Sequence, residues 1–152
     1  MITTIESKID YSLEYIRQQS SSDFIGLGVI DREQRNLYWS YVKGSVSART
    51  LLIVQKLTGG LTGAAIRAGR PMKSSFICSD ADRFRQGEPV MLTEKLDSAL
   101  SLPVYNSNEI TAILLLGRRN QMIYSSAEQG DAVDYASQLG ELLVMELPNR
   151  LQ

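Results

Sequence analysis

The sequence predicts an α+β domain, an antiparallel sheet sandwiched with helices, and three observations predict it. Apolar residues recur at three- and four-residue steps near both ends of the chain, the spacing of a helix with one buried face. Two pairs of strand-like stretches lie between them, each pair joined by a short polar turn. An irregular middle separates the pairs and holds one short helix flanked by glycines. Hairpins and helices segregated in this order stack into layers rather than alternating as βαβ units.

The elements follow in chain order. Ile2, Ile5, Ile9, Leu13 and Ile16 mark a helix over about residues 2–19, ended by Ser20, Ser21 and Ser22. Phe24–Ile30 reads as a strand whose Gly26 and Gly28 share a face, so something packs close to the backbone there. Asp31–Asn36 is a turn, and Leu37–Val42 is the returning strand, with Leu37, Trp39 and Tyr41 on one face. Leu51–Val54 is strand-like, Leu61–Ala68 is a short helix closed by Gly69 and Pro71, and Ser75–Cys78 is a short strand. Asp80–Val90 is irregular, broken by Gly87 and Pro89. Ala99–Tyr105 and Ile110–Gly117 form the second hairpin, with Pro103 requiring a sheet edge or a bulge. Ser125 and Glu128 compose a capping box. The helix after it, about 126–147, buries Ala132, Ala136, Leu139, Leu143 and Leu147 and stops near Pro148. Residues 1–152 make one domain, without repeats or an internal linker.

Composition excludes several classes of function. A formal charge of −1 provides no footprint for nucleic acid or an anionic membrane. The apolar run around Ile113–Leu116 is too short to cross a bilayer, and Glu6 and Asp10 interrupt any signal-peptide pattern. The single cysteine, Cys78, leaves no disulfide framework, which places the chain in the cytoplasm. The absence of histidine removes His-based acid–base and nucleophilic catalysis and the commonest metal ligand. Asp80/Asp82 and Asp131/Asp134 remain as carboxylate pairs, but the spacing around Asp80–Asp82 does not supply the further donors of a cation cage. Neither an enzyme nor a cofactor is therefore expected.

Gly59 and Gly60 run into Leu61-Thr62-Gly63, the start of the short helix. A helix start leaves backbone N–H groups unpaired and carries partial positive charge, and glycine lets a ligand approach them. This is one way to hold a small anion without a charged side chain. The same residues would also serve as a plain loop-to-helix junction.

The order of elements resembles a GAF domain, on Gly60–Gly63 with Ala68–Pro71, then Asp80 and Asp82, then Ser98–Val104 and Ile113–Gly117. Within that fold the chain resembles the stand-alone nitrate receptors of the NreA family. That likeness rests on Asp23–Gly28, Trp39–Gly44, the glycine junction, Arg67–Met72 and Leu92–Leu96. The resemblance implies terminal helices on one side of the sheet and a ligand pocket on the other. It implies a nitrate-binding sensory protein that regulates a sensor histidine kinase of a two-component system. Carried over by motif, the nitrate-binding positions are Trp39, Gly60, Leu61, Thr62 and Val90, with nitrate as ligand and no cofactor. Two positions depart from the family pattern: Thr62 replaces an alanine, and Glu88 stands near an expected aromatic. A carboxylate beside an anion pocket repels the ligand, so Glu88 is required to point outward, or else the assignment weakens.

Nitrate is a planar, weakly basic monoanion, which neutral donors at a helix start and one indole N–H can compensate for its lost water. Trp39 taken alone would equally fill the core of a sandwich. Arg67 and Arg70 read as solvated helix-face charges. Three other hypotheses stand beside the receptor: a GAF enzyme such as free methionine sulfoxide reductase, for which Cys78 lacks a resolving partner, a GAF domain binding another small ligand, and a scaffold for dimerisation alone through the terminal helices.

Overall fold

A computed structural model describes residues 4–75 and 88–150, with the backbone alone described at 75 and 145–150. The expected strand at Ser75–Cys78 lies largely outside the described residues, as do Cys78, Asp80 and Asp82, and so do the side chains of Ile2 and Leu147. The elements are α1 (Ile5–Gln19), β1 (Phe24–Asp31), β2 (Asn36–Lys43), β3 (Val54–Lys56), α2 (Gly60–Ala68), β4 (Met72–Ser75), α3 (Pro89–Thr93), β5 (Ser98–Asn106), β6 (Glu109–Arg118) and α4 (Ser126–Arg150). The strands form one antiparallel sheet in the order β3-β2-β1-β6-β5-β4.

Thr4 caps α1 by accepting the Ser7 N–H at 3.0 Å, and Ile9, Leu13 and Ile16 bury their side chains as the spacing predicts. They meet Ile25, Leu27, Leu100, Leu102, Leu114 and Leu116 of the sheet and Ala132, Ala136, Leu139 and Leu143 of α4. Both terminal helices thus cover one face of the sheet. The described residues of their apolar stripes are consumed in this core. The exposed apolar residues of the same helices are a different set, Tyr11, Tyr15, Val133 and Val144. The capping box at α4 forms, with Glu128 N–H on Ser125 Oγ and Ser125 N–H on Glu128 Oε1. The helix does not stop near Pro148 but runs to Arg150, forgoing the one backbone hydrogen bond that proline cannot donate.

The buried Arg118 at the end of β6 ties this corner together. Its guanidinium donates to the carbonyls of Ser20, Ser21, Met122 and Ile123 and to the Glu128 carboxylate, and it lies 3.9 Å above the Tyr124 ring.

The opposite face holds a second core of Phe24, Leu37, Trp39, Leu61, Ala65, Val90, Met91, Leu96, Ala99, Ile113 and Leu115. Gly26 and Gly28 open onto it, as expected: a Cβ at Gly28 would come within 2.8 Å of the Leu37 side chain, and one at Gly26 within 3.2 Å of the Trp39 ring. Tyr41 does not share the face of Leu37 and Trp39. Gly28 pairs with Trp39 and Leu27 with Tyr41, so Ser40 is a bulge that turns Tyr41 toward the helical face. Pro103 is placed as predicted, beyond the reach of β4 and beside a second bulge at Val104/Tyr105.

The strand expected at Leu51–Val54 begins later. Thr50–Leu52 is a 3₁₀ turn with Leu51 and Leu52 exposed, and pairing with β2 starts at Val54. Buried Thr50 dictates this, because its hydroxyl donates to the Glu94 carboxylate. Helix α2 starts at Gly60 and ends at Gly69 in the left-handed conformation, φ +66°. Gly63 lies against the preceding loop, and a Cβ there would sit 2.4 Å from the Thr58 carbonyl oxygen. Gly63→Ala is expected to cost about 1–3 kcal/mol of stability by forcing that loop off the helix, measured as a shift in urea midpoint at unchanged slope.

Candidate functional site

The start of α2 meets β2, β3 and α3 on the second core face. Trp39 and Val90 are buried there, as are Leu61 and Thr62 in the first turn of α2, while Gly60 opens that turn with φ +65°. The structure thus brings the sequence-predicted positions into one neighbourhood. It also fills the place between them.

Glu88 is fully buried and points inward, against the requirement that it face outward. Its Oε2 accepts the Thr62 N–H at 3.1 Å, and its Oε1 accepts the Thr62 hydroxyl. Gln55 Nε2 lies 3.3 Å from each carboxylate oxygen, and Gln55 Oε1 accepts the Trp39 indole N–H at 2.7 Å. Only this orientation of the Gln55 amide satisfies both an indole donor and a carboxylate acceptor. The reason for the inward position is geometric. Glu88 is the cap position of α3, whose Val90 and Met91 belong to the core, and the unpaired amide of the α2 first turn is within reach.

The result is a planar oxyanion group held by neutral donors at a helix start. Among the described residues no charged side chain contributes to its environment. Burial pushes the Glu88 carboxyl up from 4.5 to about 7, with the Thr62 hydroxyl and amide and the Gln55 amide pulling the other way. Gln55 is the site residue that sequence reasoning missed. The signal is a polar residue between two outward-facing ones, Val54 and Lys56, but the apolar run Leu51–Val54 phases the strand three residues early.

The Leu92–Leu96 motif has a structural role. Buried Glu94 accepts from Ser45 Oγ, Val46 N–H at 2.8 Å, Thr50 Oγ1 and Arg119 Nη2 at 2.8 Å. Arg119 also reaches the carbonyls of Glu94 and Gly44, and its N–H donates to Asp23 Oδ2 at 2.7 Å. The latch pins the loop after β2 and the C-terminal end of α3 to the end of β6, behind the site. Among the described residues no cluster of three acidic, Cys or His side chains could hold a metal, and no helix is long and apolar enough to cross a membrane.

The architecture is that of a GAF domain. The GAF domain of a two-component sensor histidine kinase from Bacillus halodurans superimposes with a TM-score of 0.77 at 16% identity, over 99% of this chain and 100% of that one. A mutated NreA protein from Staphylococcus aureus, described by its nitrate binding site, is similar at TM-score 0.68 and 22% identity, over 80% of this chain and 90% of that one. A type II free methionine-R-sulfoxide reductase from Thermoplasma acidophilum is similar at TM-score 0.72 and 14% identity, over 91% of each chain. No protein-family model and no curated sequence matches the chain.

Proposed function

We propose that the protein is a non-catalytic, cytoplasmic nitrate-sensing module of the GAF fold, and that nitrate occupancy regulates a sensor histidine kinase docked on it. The observation that carries this reading is the pair of neutral donors, Thr62 and the Gln55 amide that the Trp39 indole holds in place, closing on a planar oxyanion group. Nitrate has the same flat, delocalised oxygen edge as a carboxylate and the same single charge, and this donor set offers no cation to compensate a second charge. On this reading Trp39, Gly60, Leu61, Thr62 and Val90 form the nitrate pocket, without a cofactor. The likeness to an NreA protein described by its nitrate binding site favours nitrate over other small ligands. The kinase, or a second copy of the chain, would dock on the outer faces of α1 and α4, where Tyr11, Tyr15, Val133 and Val144 stay exposed.

Calorimetric titration with nitrate, with sulfate as the control, tests the receptor reading. Saturable binding of nitrate and not of sulfate is expected. Trp39→Phe should weaken it about tenfold, because the Gln55 carbonyl loses its donor and the amide no longer holds its place, the equivalent of about 1.4 kcal/mol. Equal affinity in a folded Trp39→Phe variant would return Trp39 to a core role. For the kinase, linkage requires reciprocity: if nitrate weakens the complex, the kinase domain must weaken nitrate binding by the same factor. Equal nitrate affinity with and without a demonstrably bound kinase would exclude nitrate as the signal at that contact.

A further inference from the structure

We infer that Glu88 is a competitor built into the anion site, and that nitrate enters only together with a proton that neutralises its carboxylate. The inference rests on the nitrate reading above and adds its regulation. Glu88 holds the Thr62 amide, the donor that an external anion at this helix start would need.

The residue that carries this side chain is anchored in the fold. Its backbone caps α3 and its carbonyl accepts the Met91 N–H at 3.0 Å, while Val90 and Met91 anchor the helix in the core. A nitrate taking the Thr62 amide would therefore lie beside the carboxyl group, in a site closed to water. Nothing described around it supplies a positive charge. On β2, Tyr38 is turned to Gln34 and Lys43 to Asp10. On β3, Lys56 is exposed, and on α2, Arg67 donates to the Thr58 carbonyl. On α3, Glu94 is bound by Ser45, Thr50 and Arg119, and Lys95 is exposed. The sheet strands beneath present Phe24, Ala99, Ile113 and Leu115.

Two adjacent negative charges in such a place do not both persist; paired carboxylates resolve the conflict by holding one proton between them. The balance here is one nitrate and one proton in, with the charge of the site unchanged at minus one. Protonated Glu88 then changes from competitor to donor, offering its O–H to a nitrate oxygen and keeping its carbonyl oxygen for the Thr62 hydroxyl or Gln55 amide. Because burial already holds this carboxyl near neutrality, the proton is available at ordinary pH. A side chain that instead swung out to water would return to the ordinary carboxylate range and release protons.

The sign and number of protons exchanged distinguish the two. Nitrate is titrated into the whole protein by calorimetry from pH 5.5 to 8.5, in buffers of different ionisation enthalpy. We expect uptake approaching one proton per nitrate at the alkaline end. Affinity should be level in acid and fall about tenfold per pH unit above neutrality. Glu88→Gln keeps the shape without the charge, so its affinity should be independent of pH and about tenfold tighter than the natural protein's at pH 8. If that variant does not fold, the proton count of the natural protein decides alone. Nitrate binding with proton release, or with none exchanged, overturns the inference and leaves the nitrate reading standing. Failure of nitrate to bind either the natural protein at pH 5.5 or folded Glu88→Gln overturns both.

Discussion

Arg118→Leu is expected to lower the stability of the domain by about 3–5 kcal/mol, the cost of removing one partner from a buried, hydrogen-bonded charge. The guanidinium is 3% exposed and satisfies four backbone carbonyls at once, from the turn after α1 and from the segment leading into α4. Leucine fills much of the volume but leaves those acceptors, and the Glu128 carboxylate, without their donor. The loss also reaches the capping box, because Glu128 caps α4 with one oxygen while the other meets Arg118. Arg118→Lys should recover little, since an ammonium cannot span carbonyls on several sides as a planar fork does. Urea denaturation monitored by circular dichroism measures the loss. A decrease below about 1 kcal/mol would mean that water satisfies these carbonyls without the guanidinium.

Glu88→Gln is expected to stabilise the protein in alkaline solution and not in acid. A carboxyl held at about 7 in the folded state and near 4.5 when unfolded binds its proton more tightly in the folded state. Its favourable contribution is complete below about pH 4.5, declines as pH rises, and is lost through pH 7. The displacement corresponds to about 3 kcal/mol. Relative to the natural protein, the variant's stability should rise by about that amount between pH 4.5 and pH 8. The substituted amide also turns an N–H toward a donor, which shifts the two curves by a constant and leaves the slope as the readout. Parallel stability curves across this range would show that the carboxyl is not desolvated as described.

The parts of the fold visible in the sequence are those fixed by local physics. Ile9, Leu13 and Ile16 share a face because a helix repeats every 3.6 residues, and Ser125 with Glu128 specifies a helix start within four residues. Gly26 and Gly28 announce a close approach, though not that Trp39 and Leu37 make it. What stayed hidden depends on distant partners. Leu51 and Leu52 look like strand residues, and only a carboxylate 44 positions from Thr50 holds them in an exposed turn. Tyr41 changes face because of a bulge that no residue type demands.

The candidate site divides in the same way. Its helix start was legible from Gly59 to Gly63, since the amides that such a turn leaves unpaired are a property of any helix. Its occupant was not. A glutamate favours water, and only donors 26 and 33 positions away turn Glu88 inward. Gln55 joins Trp39 to that carboxylate, and a glutamine carries no signature before its strand is phased.

The sheet order sets a timetable for making the protein. Strand β1 pairs with β2 soon after both exist, a local event of microseconds, but its other neighbour is β6, about ninety residues further along the chain. At ordinary rates of synthesis the ribosome needs about 5–20 s to produce that partner. For this interval Phe24, Ile25 and Leu27 lie on the open edge of a ribbon that contains only β1, β2 and, once made, β3, with neither core assembled, because both cores draw on β5 and β6. A strand at the centre of the finished sheet thus has to wait for its second neighbour with an apolar edge open, which is the cost of placing β1 between β2 and β6.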